Sequence, residues 1–300
     1  MARVSIIALD SKIPNLAAMK LSAWHKAKGD AVFVGLPLME ELCDVRYASY
    51  VFTTSVKDHH PDTITGGTGI DIHAKLPDEV EHTTPDYAGF RCKHAMGFAS
   101  RGCPNNCPFC FVPEKEGPVR AHADPDEFVL PQHRHVTFLD NNILAAPNCD
   151  NVLDWCARFD GTVDFNQGLD CRLVDGPMAR RLAKIRFGPY LRFAVDTDAS
   201  KRPFEKALGH LRDAGIGERQ LGCVMVLIGQ SGELVQGDVD RVHWVASLGR
   251  VDPFAMPFMP PTAGPGWKPS RELRDFARWV NRKELFRSCT WAEYRNPRGC

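Results

Sequence analysis

The chain has 300 residues, with 37 lysines and arginines against 37 aspartates and glutamates and 44% hydrophobic side chains. Zero formal net charge excludes a uniformly basic nucleic-acid coat and a polyacidic tail, and the length and apolar share suit about two globular domains. No stretch approaches the ~20 apolar residues of a membrane span, and the short apolar run at 6–9 lacks a cleavage pattern, so the eleven cysteines read as reduced thiols or metal ligands of a cytoplasmic protein.

Residues 4–9 are β-rich, Pro14 suits the first turn of a helix, and Ala17, Leu21 and Trp24 recur at helical spacing before Gly29 ends it. Short apolar strands are expected at 31–35 and 46–53, then a strand ending in the glycine turn Ile64-Thr65-Gly66-Gly67-Thr68-Gly69. This alternation predicts an α/β domain at 1–86 built on a parallel, doubly wound sheet. From residue 87 it restarts, with strands expected at 95–100, 135–140, 162–166, 190–196, 221–228 and 251–256. Helices are expected at 150–159, 177–185, 203–214 and 238–248. Six βα-like units predict a barrel or partial barrel over 87–262. The extension at 263–300 follows a proline- and glycine-rich stretch. Within it, residues 267–300 hold nine lysines or arginines against four acids. Arg271, Arg274, Arg278 and Arg282 share one helical face and Leu273, Phe276 and Val280 another. That pattern suits a helix docked on the barrel, or else a basic aromatic surface for nucleic acid.

Strand after strand ends in polar residues: Asp140-Asn141-Asn142, Asn166-Gln167, Asp196-Thr197-Asp198 and Gly229-Gln230. The carboxyl ends of barrel strands are where active sites are built, so these residues are expected to share one. The sharpest feature is Ser100-Arg101-Gly102-Cys103-Pro104-Asn105-Asn106-Cys107-Pro108-Phe109-Cys110, with three thiols inside eight residues. Gly102, Pro104 and Pro108 bend the backbone so that the sulfurs can converge. Thiolates are soft ligands for zinc or iron–sulfur clusters, and three of them leave one coordination position open. The competing reading is a structural knuckle closed by Cys92 or His94, in a non-catalytic zinc or iron–sulfur protein that binds nucleic acid.

At these residues the chain resembles the radical S-adenosylmethionine (SAM) superfamily. Its signature is a Cys-x-x-x-Cys-x-aromatic-Cys loop after the first strand of a βα barrel, and Phe109 stands at the aromatic position. The resemblance implies a 4Fe–4S cluster held by Cys103, Cys107 and Cys110, with S-adenosylmethionine chelated at the open iron. Reductive cleavage would then give a 5′-deoxyadenosyl radical that takes a hydrogen atom from a substrate. Flavodoxin or ferredoxin would serve as electron donor. It further implies that Asp140, Asn141 and Asn142 hold the methionine amino group, and that Asn166, Gln167 and Arg172 meet ribose and carboxylate. Asp196 stands where the fourth-strand motif usually has Glu, and Gly229 belongs to the fifth-strand motif near adenine. The substrate, a small molecule or a nucleic acid, is left open, with a nucleobase or small polar scaffold as the nearest guess; no catalytic acid or base is assigned.

The first domain is similar to the Rossmann-type cobalamin-binding module, with Gly66-Gly67 at its glycine turn. It has no Asp-x-His-x-x-Gly, so the axial histidine is missing. A docking or structural domain is therefore expected in preference to a cobalamin-assisted methyltransferase. Cys156 and Cys223 read as core residues, Cys289 and Cys300 as a thinly supported second cluster, and His59, His60, His133 and His135 as loop or strand residues. Glu114-Lys115-Glu116 reads as a solvated loop near the site's mouth.

Overall fold

The β-branched and apolar run of β1 (Arg3–Ile7) makes it the buried centre of the first sheet, with Val4, Ser5, Ile6 and Ile7 all inside. In this computed structural model residues 1–8, 10, 13–188 and 190–296 are described; Leu9, at the end of the first expected strand, and Cys300 lie outside them. Asn15 accepts the Ala18 amide and starts α1 (Leu16–Ala27), which returns the chain to β2 (Ala31–Val34). A 3-10 turn, Pro37–Leu42, then leads to β3 (Val45–Ser49), and an irregular segment to β4 (Ile64–Gly66). All four strands pair parallel in the order β2-β1-β3-β4.

The sheet is parallel as expected, but only the first crossover is an α-helix. Between β2 and β3 lie only the ten residues 35–44, short of the dozen or so that a helical crossover takes, and Leu36 and Leu38 are left exposed. The strand expected at 46–53 stops at Ser49. The Asp10 carboxylate takes the Val51 and Phe52 amides at 2.8 and 3.0 Å, so those donors are lost to the ladder.

After α2 (Asp78–Glu81), a second parallel array begins at β5 (Ala95–Gly97). The expected strand 95–100 breaks there, and β6 (Ser100–Arg101) pairs antiparallel with β7 (Arg120–Ala121) across α3 (Val112–Glu116). The chain then alternates regularly. It runs through β8 (His135–Phe138), α4 (Cys149–Arg158), β9 (Thr162–Phe165) and α5 (Gly176–Leu182). It continues through β10 (Arg192–Ala194), α6 (Lys201–Asp213), β11 (Cys223–Ile228), α7 (Gln236–Ser247) and β12 (Asp252–Pro257). Two three-stranded parallel sheets result, β5-β8-β9 and β10-β11-β12. Parallel bridges from Val163 to Phe187 and from Leu169 to Phe193 link them, so the six strands stand in chain order. The helices cover them with periodic apolar faces; α6, for example, buries Phe204, Ala207, Leu208 and Leu211.

The extension folds onto this array. Ser270 caps α8 (Arg271–Asn281), which buries Leu273, Phe276, Ala277, Trp279 and Val280 in the same apolar cluster as the strands. Then come α9 (Lys283–Ser288) and α10 (Trp291–Arg295). Phe276, Trp279 and Trp291 pack on one another, as the docked-helix expectation requires. Asn281 finishes the edge of β12: its side chain accepts the Ala255 amide at 2.8 Å and donates to the Ala255 carbonyl at 3.0 Å, as a neighbouring strand would. Asn281→Ala is expected to cost about 1–3 kcal/mol by orphaning both backbone groups, seen as a lower urea midpoint at unchanged slope. No helix among the described residues is long and apolar enough to cross a membrane.

Candidate active site

The cysteine loop is rooted by side chains from the end of β8. Asp140 is buried; its Oδ2 accepts the Ala99 amide at 3.2 Å and its Oδ1 accepts both the Ser100 hydroxyl at 2.6 Å and the Ser100 amide. Burial pushes this carboxyl up to about 6, against the pull of those hydrogen bonds. One residue on, Asn141 Oδ1 accepts the Gly102 amide at 3.2 Å. Gly102 has φ +84°, and a Cβ there would lie 2.3 Å from the Pro118 carbonyl oxygen, so only glycine lets the loop start against residues 117–118.

The loop is tied to the next strand end through Asp170, which the sequence reading overlooked. Asn142 Nδ2 and Asn105 Nδ2 both donate to Asp170 Oδ2, at 3.0 and 2.9 Å. Arg172 grips the same carboxylate with Nε on Oδ1 at 2.7 Å and Nη2 on Oδ2 at 2.8 Å. Burial works against ionisation of Asp170, but the bonds from Arg172, Asn105 and Asn142 hold it below the usual carboxylate range. Its only sequence signal is its place just past the strand, in Gly168-Leu169-Asp170, where it caps the turn Cys171–Leu173. Asn142 Nδ2 also reaches Cys103 Sγ at 3.6 Å, while Asn142 Oδ1 is buried with no hydrogen-bond partner. Flipping this amide would set its oxygen against the Asp170 carboxylate, two acceptors face to face, so the orphaned oxygen belongs to the site.

Cys103 and Cys107 are half-buried and Cys110 is exposed, all three as free thiols. Burial raises the proton affinity of Cys107 and Cys110; the other loop thiols and Asp196 raise it further, and Arg172 eases it at Cys107. The loop therefore faces both Arg172 and the end of β10. Among the described residues no group of three or more His, Cys, Asp or Glu side chains is drawn together tightly enough to hold a metal ion.

The remaining expected residues are spread around this centre. Phe109 is half-buried within the loop, Asn166 gives its amide to the Phe138 carbonyl at 3.0 Å, and Gln167 is exposed. Asp196 Oδ1 accepts the Leu227 amide at 2.9 Å and stitches β10 to β11; burial raises its carboxyl. Gly229, with φ +72°, gives its amide to Asp238 at 2.9 Å, and a Cβ there would meet Leu273 of α8 at 2.5 Å. Its open face is thus covered by the extension. Cys92 and His94 lie before β5, at the other end of that strand from the loop. Cys92 Sγ donates to the His94 carbonyl at 3.2 Å, and the His94 ring meets His135 at 5.7 Å. Neither is brought to the cysteine loop.

The amino-terminal sheet reaches the loop from behind. Glu81 Oε1 accepts from Arg101 Nη2 at 2.6 Å, Lys20 Nζ at 3.0 Å and His122 Nε2 at 3.0 Å. Arg101, which immediately precedes Gly102, also holds Glu116 at 3.3 Å and lies over the Phe98 ring. Lys115 Nζ bonds Thr68 Oγ1, so the expected solvated loop at 114–116 is instead a docking point for the glycine turn. A Cβ on Gly67 would lie 2.3 Å from the Tyr50 carbonyl oxygen, and one on Gly69 2.5 Å from that of Phe52. Gly67 and Gly69 thus serve close approach of the chain to itself, while Gly66 stands open. No protein-family model matches the chain, and no curated protein is found to be similar to it.

Proposed function

We propose that this chain is a radical S-adenosylmethionine enzyme whose Cys103, Cys107 and Cys110 hold a 4Fe–4S cluster with one iron open. The observation that carries this reading is a three-thiol loop rooted by Asp140 and Asn141 and joined to the next strand end through Asn142 and Asp170. The donor chemistry suits the cluster: three soft thiols share one eight-residue loop, which would have to close around the irons on loading, and the knuckle's fourth ligands, Cys92 and His94, pair with each other elsewhere. The buried, unpartnered Asn142 Oδ1 is an acceptor suited to an ammonium donor such as the methionine amino group. On this reading the six strands form a partial (β/α)6 barrel of TIM-like type and the first sheet is a Rossmann-like docking domain.

When bound, such a cluster supplies an electron to the sulfonium of S-adenosylmethionine and so opens the way to hydrogen-atom abstraction. The chain's own residues prepare the place. Asp140 and Asn141 fix where the loop begins, and Asn142 turns its amide nitrogen to Cys103 and Asp170 while its buried oxygen keeps a free acceptor. Arg172, oriented by Asp170, offers its remaining N–H groups to a carboxylate. Asp196 sets a second, half-buried carboxyl at the end of β10. A thiol-held cluster requires a reducing compartment, which agrees with a cytoplasmic protein supplied by flavodoxin or ferredoxin.

Anaerobic reconstitution of the full chain is expected to give about four irons and four sulfides per chain and, with dithionite and S-adenosylmethionine, 5′-deoxyadenosine. Changing all three loop cysteines to alanine is expected to abolish both while far-ultraviolet circular dichroism stays unchanged. Zinc bound in a closed four-ligand shell, with no cleavage product, would instead establish a structural knuckle.

A further inference from the structure

A second concave region lies beside the cysteine site. Segment 171–175, leaving Asp170, and helix α6 flank an open groove of about 560 Å3. Arg202, Lys206 and His210 line it from the helix and Arg172 lines it from the other side. The three helical positions are four residues apart, so they stack on one face about 6 Å from one another along the axis. Among the described residues the side chains of Arg202, Lys206 and His210 make no ion pair or hydrogen bond. Lys201 and Arg212 of the same helix differ: Lys201 pairs with Asp198 at 2.8 Å and Arg212 with Glu218 at 2.8 Å. Asp175 is the carboxylate of the lining, and its Oδ1 is taken by the Met178 amide that it caps.

We infer that this groove binds the phosphate groups of a nucleotide. Arg202 and Lys206 are exposed, four apart on one helix face, and like charges so placed repel weakly; an anion seated between them would relieve that and gain both cations. An arginine and a lysine one turn apart suit two linked phosphates better than a single carboxylate, with the guanidinium taking one phosphate bidentately. Val174 and Pro203 supply an apolar wall for a sugar or base, and the volume falls in the range of small-molecule sites. The occupant would lie next to Arg172 and hence to the Asp170 network, but the inference does not depend on the cluster, because binding is measurable without it.

Calorimetric titration of the full chain with ADP, inorganic pyrophosphate and a short single-stranded oligoadenylate tests this. Binding is expected to weaken as salt rises. The double change Arg202→Glu and Lys206→Glu is expected to lower affinity on the order of tenfold or more. The milder pair Arg202→Gln and Lys206→Gln should give a smaller loss in the same direction. The control pair Lys93→Glu and Lys268→Glu, equally exposed and outside the lining, should change nothing, and unaltered melting temperatures show that all the variants fold. Oligoadenylate bound more tightly than ADP assigns the phosphates to a strand, and the reverse order assigns them to a free nucleotide. No binding by any of the three probes, or binding that the double reversal leaves intact, overturns the inference.

Discussion

Exchanging Glu81 for glutamine is expected to lower the unfolding free energy by about 3–5 kcal/mol at neutral pH. Glu81 is the shared partner of Lys20, Arg101 and His122, and the Lys20 and Arg101 side chains are only 8% and 16% exposed. Glutamine keeps the shape but removes the charge, leaving Lys20 no carboxylate partner and Arg101 only Glu116. Burial opposes ionisation of Glu81, yet His122, Lys20 and Arg101 overcome it and hold the carboxyl far below its usual value. A depressed carboxyl adds stability that is fully present above the unfolded value of 4.5 and is lost as pH falls toward the folded one. Urea unfolding at pH 7 and at pH 4 should therefore show a larger deficit for the variant at pH 7. Because Arg101 leads into Gly102 and Cys103, reconstituted iron content should fall as well. A loss below about 1 kcal/mol would mean that water, rather than Glu81, balances these cations.

The same residue shows where the sequence becomes hard to read. In Asp78-Glu79-Val80-Glu81 the acids look alike, and nothing local says that Glu81 turns inward to meet an arginine twenty residues on. Asp170 hides in the same way, because Asn105 and Asn142 reach it from two distant stretches of chain. Patterns carried by neighbouring residues were legible: the strand and helix alternation, the spacing of the three cysteines, and the buried stripe of α8 beneath its arginines. Strand lengths were less so, because Asp10 and Asp140 take amides that a purely local reading assigns to the ladder. The glycine turn at 66–69 was legible as a turn, but what approaches it was not. Glycine marks close approach of something to the backbone, and here that something is the chain's own carbonyls.

Asp140 provides the other large effect, and its sign is opposite to that of Glu81. Its carboxyl rises from 3.8 to about 6 because desolvation outweighs three donated hydrogen bonds. The folded chain thus holds a proton over a range where the unfolded chain has released it, and stability falls as pH rises from about 4 to 6, then levels off. A shift of about two units corresponds to about 3 kcal/mol across that window. Asp140→Asn removes the titration: stability measured by urea midpoints at a series of pH values should become flatter between 4 and 6 than in the parent chain. The variant also sets an amide N–H against the Ala99 N–H, so at pH 7 the root of the cysteine loop should loosen, with faster hydrogen exchange at Ala99 and Ser100. Identical pH slopes in the two proteins would show that Asp140 stays ionised throughout, and that its hydrogen bonds from Ala99 and Ser100 outweigh burial after all.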